Sequence, residues 1–163
     1  MATLQPKKPR SGRAFDSPEQ EVFLSLWRTY DRLRALEEEL FGRYDLTPQQ
    51  YNALRLLAAA HPHRIRTLDL ARRLISRAPD ITRPLDKLER GGLIDRDRPA
   101  DNRRVVYVGI TRAGRDLLRE LREPLRACHA RQLGHLSRKD LEGLNALLRA
   151  ARLPHEEPGS NWR

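Results

Sequence analysis

The strongest constraint on the fold lies between residues 91 and 110, where a glycine pair precedes two short apolar segments joined by a charged turn. Gly91 and Gly92 are typical of a helix C-terminus, because glycine readily adopts the left-handed conformation that ends many helices. Residues 93–96 and 105–110 contain β-branched and aromatic side chains that favour strands, and the Pro and Asn between them favour a turn. The pattern predicts a helix followed by a small β-hairpin with a charged tip.

Two helices are predicted immediately before the hairpin. Pro79 opens the nearer one, and its apolar face repeats at helical spacing through Ile81, Leu85 and Leu88. A shorter helix ends before a break at residues 76–78 and carries Leu70, Ala71, Leu74 and Ile75. Residues 64–66 are long enough only for an edge strand. Residues 64–110 therefore have the order of a helix-turn-helix followed by a hairpin, which is a winged helix.

Further helices are predicted on both sides of this region. Ser17 and Thr47 each begin a capping-box pattern, and the first of them starts an amphipathic helix of about 25 residues. Thr111 caps a long helix, and Ser137 caps the last one. The predicted fold class is mainly α with a small β-hairpin.

The winged helix is assigned to residues 47–110. Helices at residues 17–41 and 111–152 are assigned to dimerisation, because their apolar stripes are too broad for one small winged helix to cover. Residues 17–152 together form one predicted domain. The remaining segments are expected to be a flexible basic N-terminal tail and a loose C-terminal tail, at residues 1–16 and 153–163.

The net charge of +10 arises from 32 Lys and Arg against 22 Asp and Glu. The excess is concentrated at residues 64–104, which carry twelve basic and seven acidic side chains. A basic block inside a folded domain indicates a polyanionic partner, here double-stranded DNA. A solvated, arginine-rich surface would have the same composition, so charge alone leaves both interpretations open.

The sequence contains no glycine-rich phosphate loop and no nucleophile elbow, and it predicts no enzyme, no cofactor and no metal site. Its single cysteine, Cys128, cannot form an intrachain disulfide, which favours a reducing compartment. That cysteine is expected to pack rather than react. No apolar segment approaches the ~20 residues that span a bilayer, and the basic N-terminus lacks the apolar region of a secretory signal. We therefore expect a cytoplasmic, nucleoid-associated protein.

Several motifs in a fixed order are similar to those of a known family. They are LTPQQYNALRLLA at 46–58, LDKLE at 85–89, GLI at 92–94, NRR at 102–104, and IT with Gly114 at 110–114. This order resembles the MarR family of bacterial transcription regulators over about residues 17–152. The resemblance implies an obligate homodimer, one helix in each of two DNA major grooves, and control by a small-molecule or redox signal.

The face of the 79–90 helix opposite its apolar stripe is predicted to meet DNA. Base edges in the major groove require donors and acceptors on the N-terminal half of such a helix, which favours Arg77, Asp80, Thr82 and Arg83. Lys87 lies further along, toward phosphate. Arg64 and Arg66 on the short strand either meet phosphates or are simply exposed.

Three positions on this helix need separate interpretation. Pro84 removes a backbone hydrogen bond inside the predicted recognition helix, so the helix is expected to be kinked or to start later. Asp86 and Glu89 are expected to hold neighbouring arginine side chains rather than DNA.

The hairpin tip carries Arg103 and Arg104. A narrow A·T-rich minor groove concentrates negative potential and accepts an inserted arginine. In the family, the inserted arginine follows an aspartate by two residues. Arg104 occupies the matching position, but Asn102 replaces the aspartate, whereas Asp101 precedes Arg103 by two residues. Both arginines are therefore predicted DNA contacts.

Trp27, Tyr30 and Tyr51 lie near the expected ligand pocket and are predicted to bind an effector, unless they only form core. The first helix has no cysteine, which argues against the family's peroxide sensors. The sequence predicts a sequence-specific repressor that binds an inverted-repeat operator as a homodimer. A small-molecule effector, an aromatic one among the alternatives, would release or modulate it. The second interpretation is a winged-helix architectural DNA-binding protein without an effector.

Overall fold

The computed structural model describes residues 15–75, 81–100, 102 and 105–156. These residues form a mainly helical fold with a small antiparallel sheet. The helices are α1 (Pro18–Gly42), α2 (Pro48–Ala60), α3 (Thr67–Arg73), α4 (Thr82–Arg90), α5 (Arg112–Glu120), α6 (Arg122–Leu133) and α7 (Arg138–Arg152). The strands are β1 (Ile65–Arg66), β2 (Ile94–Asp97) and β3 (Tyr107–Ile110).

Local side-chain hydrogen bonds explain where several helices begin. The Thr47 side chain accepts a bond from the backbone of Gln50, whose own side chain accepts one from the Thr47 backbone, so the capping box is complete. Ser17, Thr111 and Ser137 each accept a bond from the backbone N–H three residues later. These helix starts confirm the prediction, as does the length of α1, which has 25 residues.

Two prolines explain where the helix boundaries differ from those that the apolar repeats predict. Helix α4 begins at Thr82, later than its apolar repeat indicated, and Pro84 is its third residue. Backbone N–H groups in the first turn have no intrahelical acceptor, so proline costs no hydrogen bond there. The long helix predicted after Thr111 is instead divided at Leu121 into α5 and α6. Pro124 causes this division, because it has no N–H for the carbonyl four residues earlier.

The strands form a three-stranded sheet rather than an isolated hairpin. Its order is β1-β3-β2, and both pairs are antiparallel. The short segment at residues 64–66 supplies the edge strand that its length predicted. Ile65 lies opposite Val108, and Ile94 lies opposite Ile110. All four side chains are buried, so one face of the sheet closes the core.

The chain divides into two compact units, residues 1–35 and 36–163. This boundary falls inside α1. The assignment of residues 17–152 to one domain stays a prediction. The second unit has a continuous apolar core. Its fully buried members include Phe41, Leu54, Leu57, Leu70, Leu85, Leu88, Ile94, Val108 and Leu121.

The C-terminal segment, which was predicted to be loose, begins with a short regular element. Leu153–His155 form a 3₁₀ helix, and Arg152 pairs with Glu156 at 2.7 Å. Residues 157–163 lie outside the described residues, as do residues 1–14 of the predicted basic tail. Within the described ranges, no helix is both long and apolar enough to cross a bilayer.

Candidate nucleic-acid interface

The surface of α4 is set by the two leucines that it buries. Because Leu85 and Leu88 point into the core, Thr82 and Arg83 in the first turn are exposed. This is the part of a helix whose side chains reach base edges in a major groove. Arg77 and Asp80, which were predicted to join them, lie outside the described residues.

The two acidic side chains of α4 are held by Arg96 of strand β2. Its Nη1 lies 2.6 Å from Asp86 Oδ1 and 3.1 Å from Glu89 Oε2. Its Nη2 donates to the backbone carbonyl of Thr82 at 3.4 Å. The prediction that both carboxylates hold a neighbouring arginine is thus confirmed, and that arginine comes from the hairpin.

The opposite side of α4 is tied to the region around the start of α2. Lys87 Nζ lies 2.5 Å from Oδ1 of Asp45, which occupies the turn between α1 and α2. The backbone φ of Asp45 is 51°, a conformation that Asp tolerates better than most residues. Gln50, which is buried, donates its side-chain amide to the carbonyl of Pro84 at 3.3 Å. The Lys87 ammonium therefore already has a carboxylate partner. Its contact with a DNA phosphate stays a prediction.

Arg64, which precedes β1, and Arg66, which lies in it, have partners within the sheet. Arg64 donates two bonds to Asp95, at 2.8 and 2.7 Å, and the pair passes over Gly109. A Cβ on that glycine would lie 2.8 Å from the Asp95 carboxylate, and a glycine inside a strand is the sequence signal for such a close approach. Arg66 is exposed and donates to the Tyr107 hydroxyl at 3.2 Å. That hydrogen bond raises the pKa of the Arg66 guanidinium above its usual value.

A cavity of about 390 Å³ lies where α3, the first turn of α4 and the hairpin meet. Its basic side chains are Arg66, Arg96 and Arg98, and its apolar ones include Leu68, Val105 and Val106. Thr82 also lines it, so the cavity adjoins the exposed turn of α4. A concave basic surface of this kind focuses positive potential toward a polyanion.

The described part of the hairpin tip is turned by two backbone bonds. The N–H of Asn102 donates to the carbonyl of Pro99 at 3.2 Å, and the N–H of Val105 donates to the carbonyl of Asn102 at 3.1 Å. Arg103 and Arg104 lie outside the described residues. Insertion of either side chain into a minor groove therefore stays a prediction.

The three aromatic residues assigned to an effector are divided between the two units. In the first unit, Trp27 and Tyr30 are 63% and 62% exposed, and Trp27 makes an edge-to-face contact with Phe23. In the second unit, Tyr51 stacks on Phe41 with ring centroids 4.8 Å apart. Burial raises the pKa of the Tyr51 hydroxyl. Tyr51 therefore has at least a core-packing role, which is the alternative to ligand binding.

Cys128 is buried in the second unit, in keeping with a packing role. Burial raises the pKa of its thiol, and the negative charge of Glu37 raises it further. Within the part of the chain that the structure describes, no group of three or more His, Cys, Asp or Glu side chains is arranged to hold a metal ion.

Known proteins are similar to this chain over the region that carries this surface. The model of the MarR family matches residues 46–106. The transcriptional repressor MprA of Escherichia coli (strain K12) is 27% identical over 144 residues, which cover 87% of this chain and 82% of MprA. The crystal structure of a MarR transcription factor from Planctomyces limnophilus is 52% identical with a TM-score of 0.68, and the match covers 83% of this chain and 98% of that one. Bordetella bronchiseptica BpsR, whose DNA binding is regulated by 6-hydroxynicotinic acid, shares the fold at 22% identity and a TM-score of 0.70, over 80% of this chain and 98% of that one.

Proposed function

The chain belongs to the MarR family and is a DNA-binding regulator of transcription, and on that premise we propose that it is a homodimeric repressor of an inverted-repeat operator, controlled by a small molecule. The observation that carries the proposal is the exposed first turn of α4 beside the basic cavity. Thr82 and Arg83 are the base-reading residues of this proposal. In a symmetric dimer, two such turns would meet half-sites about one helical turn, ~10 bp, apart.

Dimerisation is supported by apolar side chains that each unit leaves exposed. In the first unit, Phe23 and Trp27 are more than half exposed. In the second, no described residue of α7 is buried, and the side chains that leave an apolar stripe exposed are Leu141, Leu144, Leu147 and Leu148. Contiguous apolar surface on a globular protein usually marks an interface, and most homo-oligomers are closed symmetric dimers. A second copy of this chain is therefore the proposed partner of these helices.

Two observations support control by a small molecule. Trp27 and Tyr30 present exposed aromatic rings, and BpsR, which shares the fold, responds to an aromatic acid. We therefore propose that the effector is an aromatic molecule. The protein itself would act on DNA in the cytoplasm. The alternative, an architectural DNA-binding protein, needs neither an effector nor an operator.

Selection from a random duplex library with the full-length protein separates the two functions. The repressor predicts enrichment of an inverted repeat that is bound at least ~10³-fold more tightly than a shuffled duplex. Equal affinity for the two duplexes would favour the architectural protein.

Sedimentation tests the dimer. Leu144→Glu should shift the protein toward monomer at micromolar concentration. Ala146→Glu adds the same charge on the opposite face of α7 and should leave the dimer intact. A wild-type protein that sediments as a monomer would contradict the proposal.

A further inference from the structure

Arg96 joins the recognition helix to the hairpin at three points. Its guanidinium contacts the Thr82 carbonyl in the first turn of α4 and the carboxylates of Asp86 and Glu89 in the following turns. The Arg96 side chain is only 16% exposed, whereas the two carboxylates are 45% and 41% exposed. One side chain of β2 therefore spans almost the whole length of α4.

These contacts have the chemistry of a positioning element. Hydrogen bonds between a guanidinium and carboxylates are about twice as strong as neutral ones, and they fix geometry because the guanidinium is planar. Lys87 and Gln50 tie the other side of α4 to the region around the start of α2. Arg96 ties it to β2, which leads directly into the hairpin tip.

We propose that Arg96 is a positioning residue for DNA recognition, which fixes the angle between α4 and the hairpin. Side chains on α4 and side chains at the hairpin tip then meet adjacent grooves of one duplex in the same encounter. Arg96 also neutralises two carboxylates that would otherwise face the phosphates. This inference rests on the proposed function, because it presumes that the surface reads an operator.

Two simpler roles make different predictions. A direct phosphate contact by Arg96 would strengthen binding to every duplex and contribute to the salt dependence. A purely stabilising ion pair would affect unfolding but not the preference for one sequence. Arg43 provides the matched control, because its ion pair with Glu39 is also a guanidinium–carboxylate contact but involves neither the sheet nor α4.

The experiment uses the full-length protein and two probes, the duplex selected by the wild type and a shuffled duplex of equal composition. Fluorescence anisotropy across a salt series gives affinity and salt slope for each variant. We expect Arg96→Gln to lower affinity for the selected duplex about tenfold or more, because charge-assisted bonds are lost. Affinity for the shuffled duplex and the salt slope should hardly change. Arg96→Lys should recover part of the loss, and Arg43→Gln should keep the preference of the wild type.

Asp86→Asn provides a second test, which can be made even if Arg96→Gln does not fold. It makes the DNA-facing surface more positive, so electrostatics alone predicts tighter binding to both duplexes. The positioning role predicts the opposite for the selected duplex, because Arg96 loses a partner on α4. Tighter binding to both duplexes by Asp86→Asn would overturn the inference. A uniform loss with a shallower salt slope in Arg96→Gln, or an unchanged preference, would overturn it too. A wild-type protein without any preference would defeat the proposed function itself.

Discussion

Lys87 of α4 and Asp45 of the turn before α2 form an ion pair, with Nζ and Oδ1 2.5 Å apart. The Lys87 side chain is 42% exposed and that of Asp45 is 88% exposed, so the pair contributes little to stability. A DNA phosphate is a competing partner for the same ammonium, because its neutralisation releases condensed counterions. Asp45 and DNA therefore compete for Lys87 if the helix docks as proposed.

Asp45→Asn should strengthen binding to DNA of any sequence. We expect affinity for both selected and shuffled duplexes to rise about two- to fivefold at low salt, and the log–log salt slope to steepen by up to about one unit, because one more phosphate is neutralised. Fluorescence anisotropy across a salt series measures both quantities. Glu39→Gln is the control, since Glu39 pairs with Arg43 and not with α4. An equal rise in both variants would mean that only net charge had changed.

The contrast between Thr47 and Lys87 shows what the sequence could predict. Thr47 bonds to Gln50 three residues away, so its capping role depends only on local sequence. The partners of Arg64 and Lys87 are 31 and 42 residues away. Both arrangements depend on how the elements pack, which no local pattern contains. Helix starts were therefore predicted well, whereas the ion pairs of these two predicted phosphate contacts were not.

Two prolines show a second limit of predicting the helices from the sequence. Pro84 left two outcomes open, a kink or a later start, and the helix begins later. Pro124 is an equally local signal for the division between α5 and α6, but the prediction of one long helix followed the apolar repeat and did not use it. Strand β1 was predicted as an edge strand, but its pairing with β3 creates a sheet that neither segment indicates alone.

Gly114→Ala should destabilise the fold, because α5 approaches the sheet closely at this glycine. A Cβ there would lie 2.2 Å from the Leu93 carbonyl oxygen and 2.7 Å from Ile110 Cγ1. Since the backbone must shift, we expect a loss of about 1–3 kcal/mol in the free energy of unfolding. Gly42→Ala is the control, because a Cβ there would have no other atom within 4 Å. Urea denaturation at one protein concentration compares the variants, and equal losses would contradict the close approach.

Cys128 should make stability fall at alkaline pH. Burial raises the pKa of its thiol in the folded state, so the folded protein keeps a proton that the unfolded chain releases near pH 8.5. The contribution to stability is present below that pH and is lost as pH rises through the folded-state value. The free energy of unfolding of the wild type should therefore fall relative to Cys128→Ala above about pH 8.5. Tyr51 is present in both proteins, so its titration cancels. A constant difference across this range would contradict the raised pKa.

Arg83 and the hairpin-tip arginines should affect DNA binding in different ways. Arg83 is exposed in the first turn of α4, where side chains reach base edges. Arg83→Ala should cost about 1–3 kcal/mol on the selected duplex and much less on a shuffled one, because a base contact is lost. The double variant Arg103→Ala with Arg104→Ala should weaken binding to both duplexes.

The loss of affinity in the hairpin variant should be largest for duplexes with A·T-rich flanks, because a narrow minor groove holds an inserted arginine best. Its salt slope should become shallower by about 1–2 units, since one or two phosphate-neutralising charges are removed. Anisotropy on selected, flank-swapped and shuffled duplexes resolves both effects. Arg112→Ala is a control for lost charge, because this exposed arginine lies at the start of α5, beyond the hairpin. If the hairpin variant binds all three duplexes as the wild type does, the charged tip serves solubility and DNA recognition rests on α4 alone.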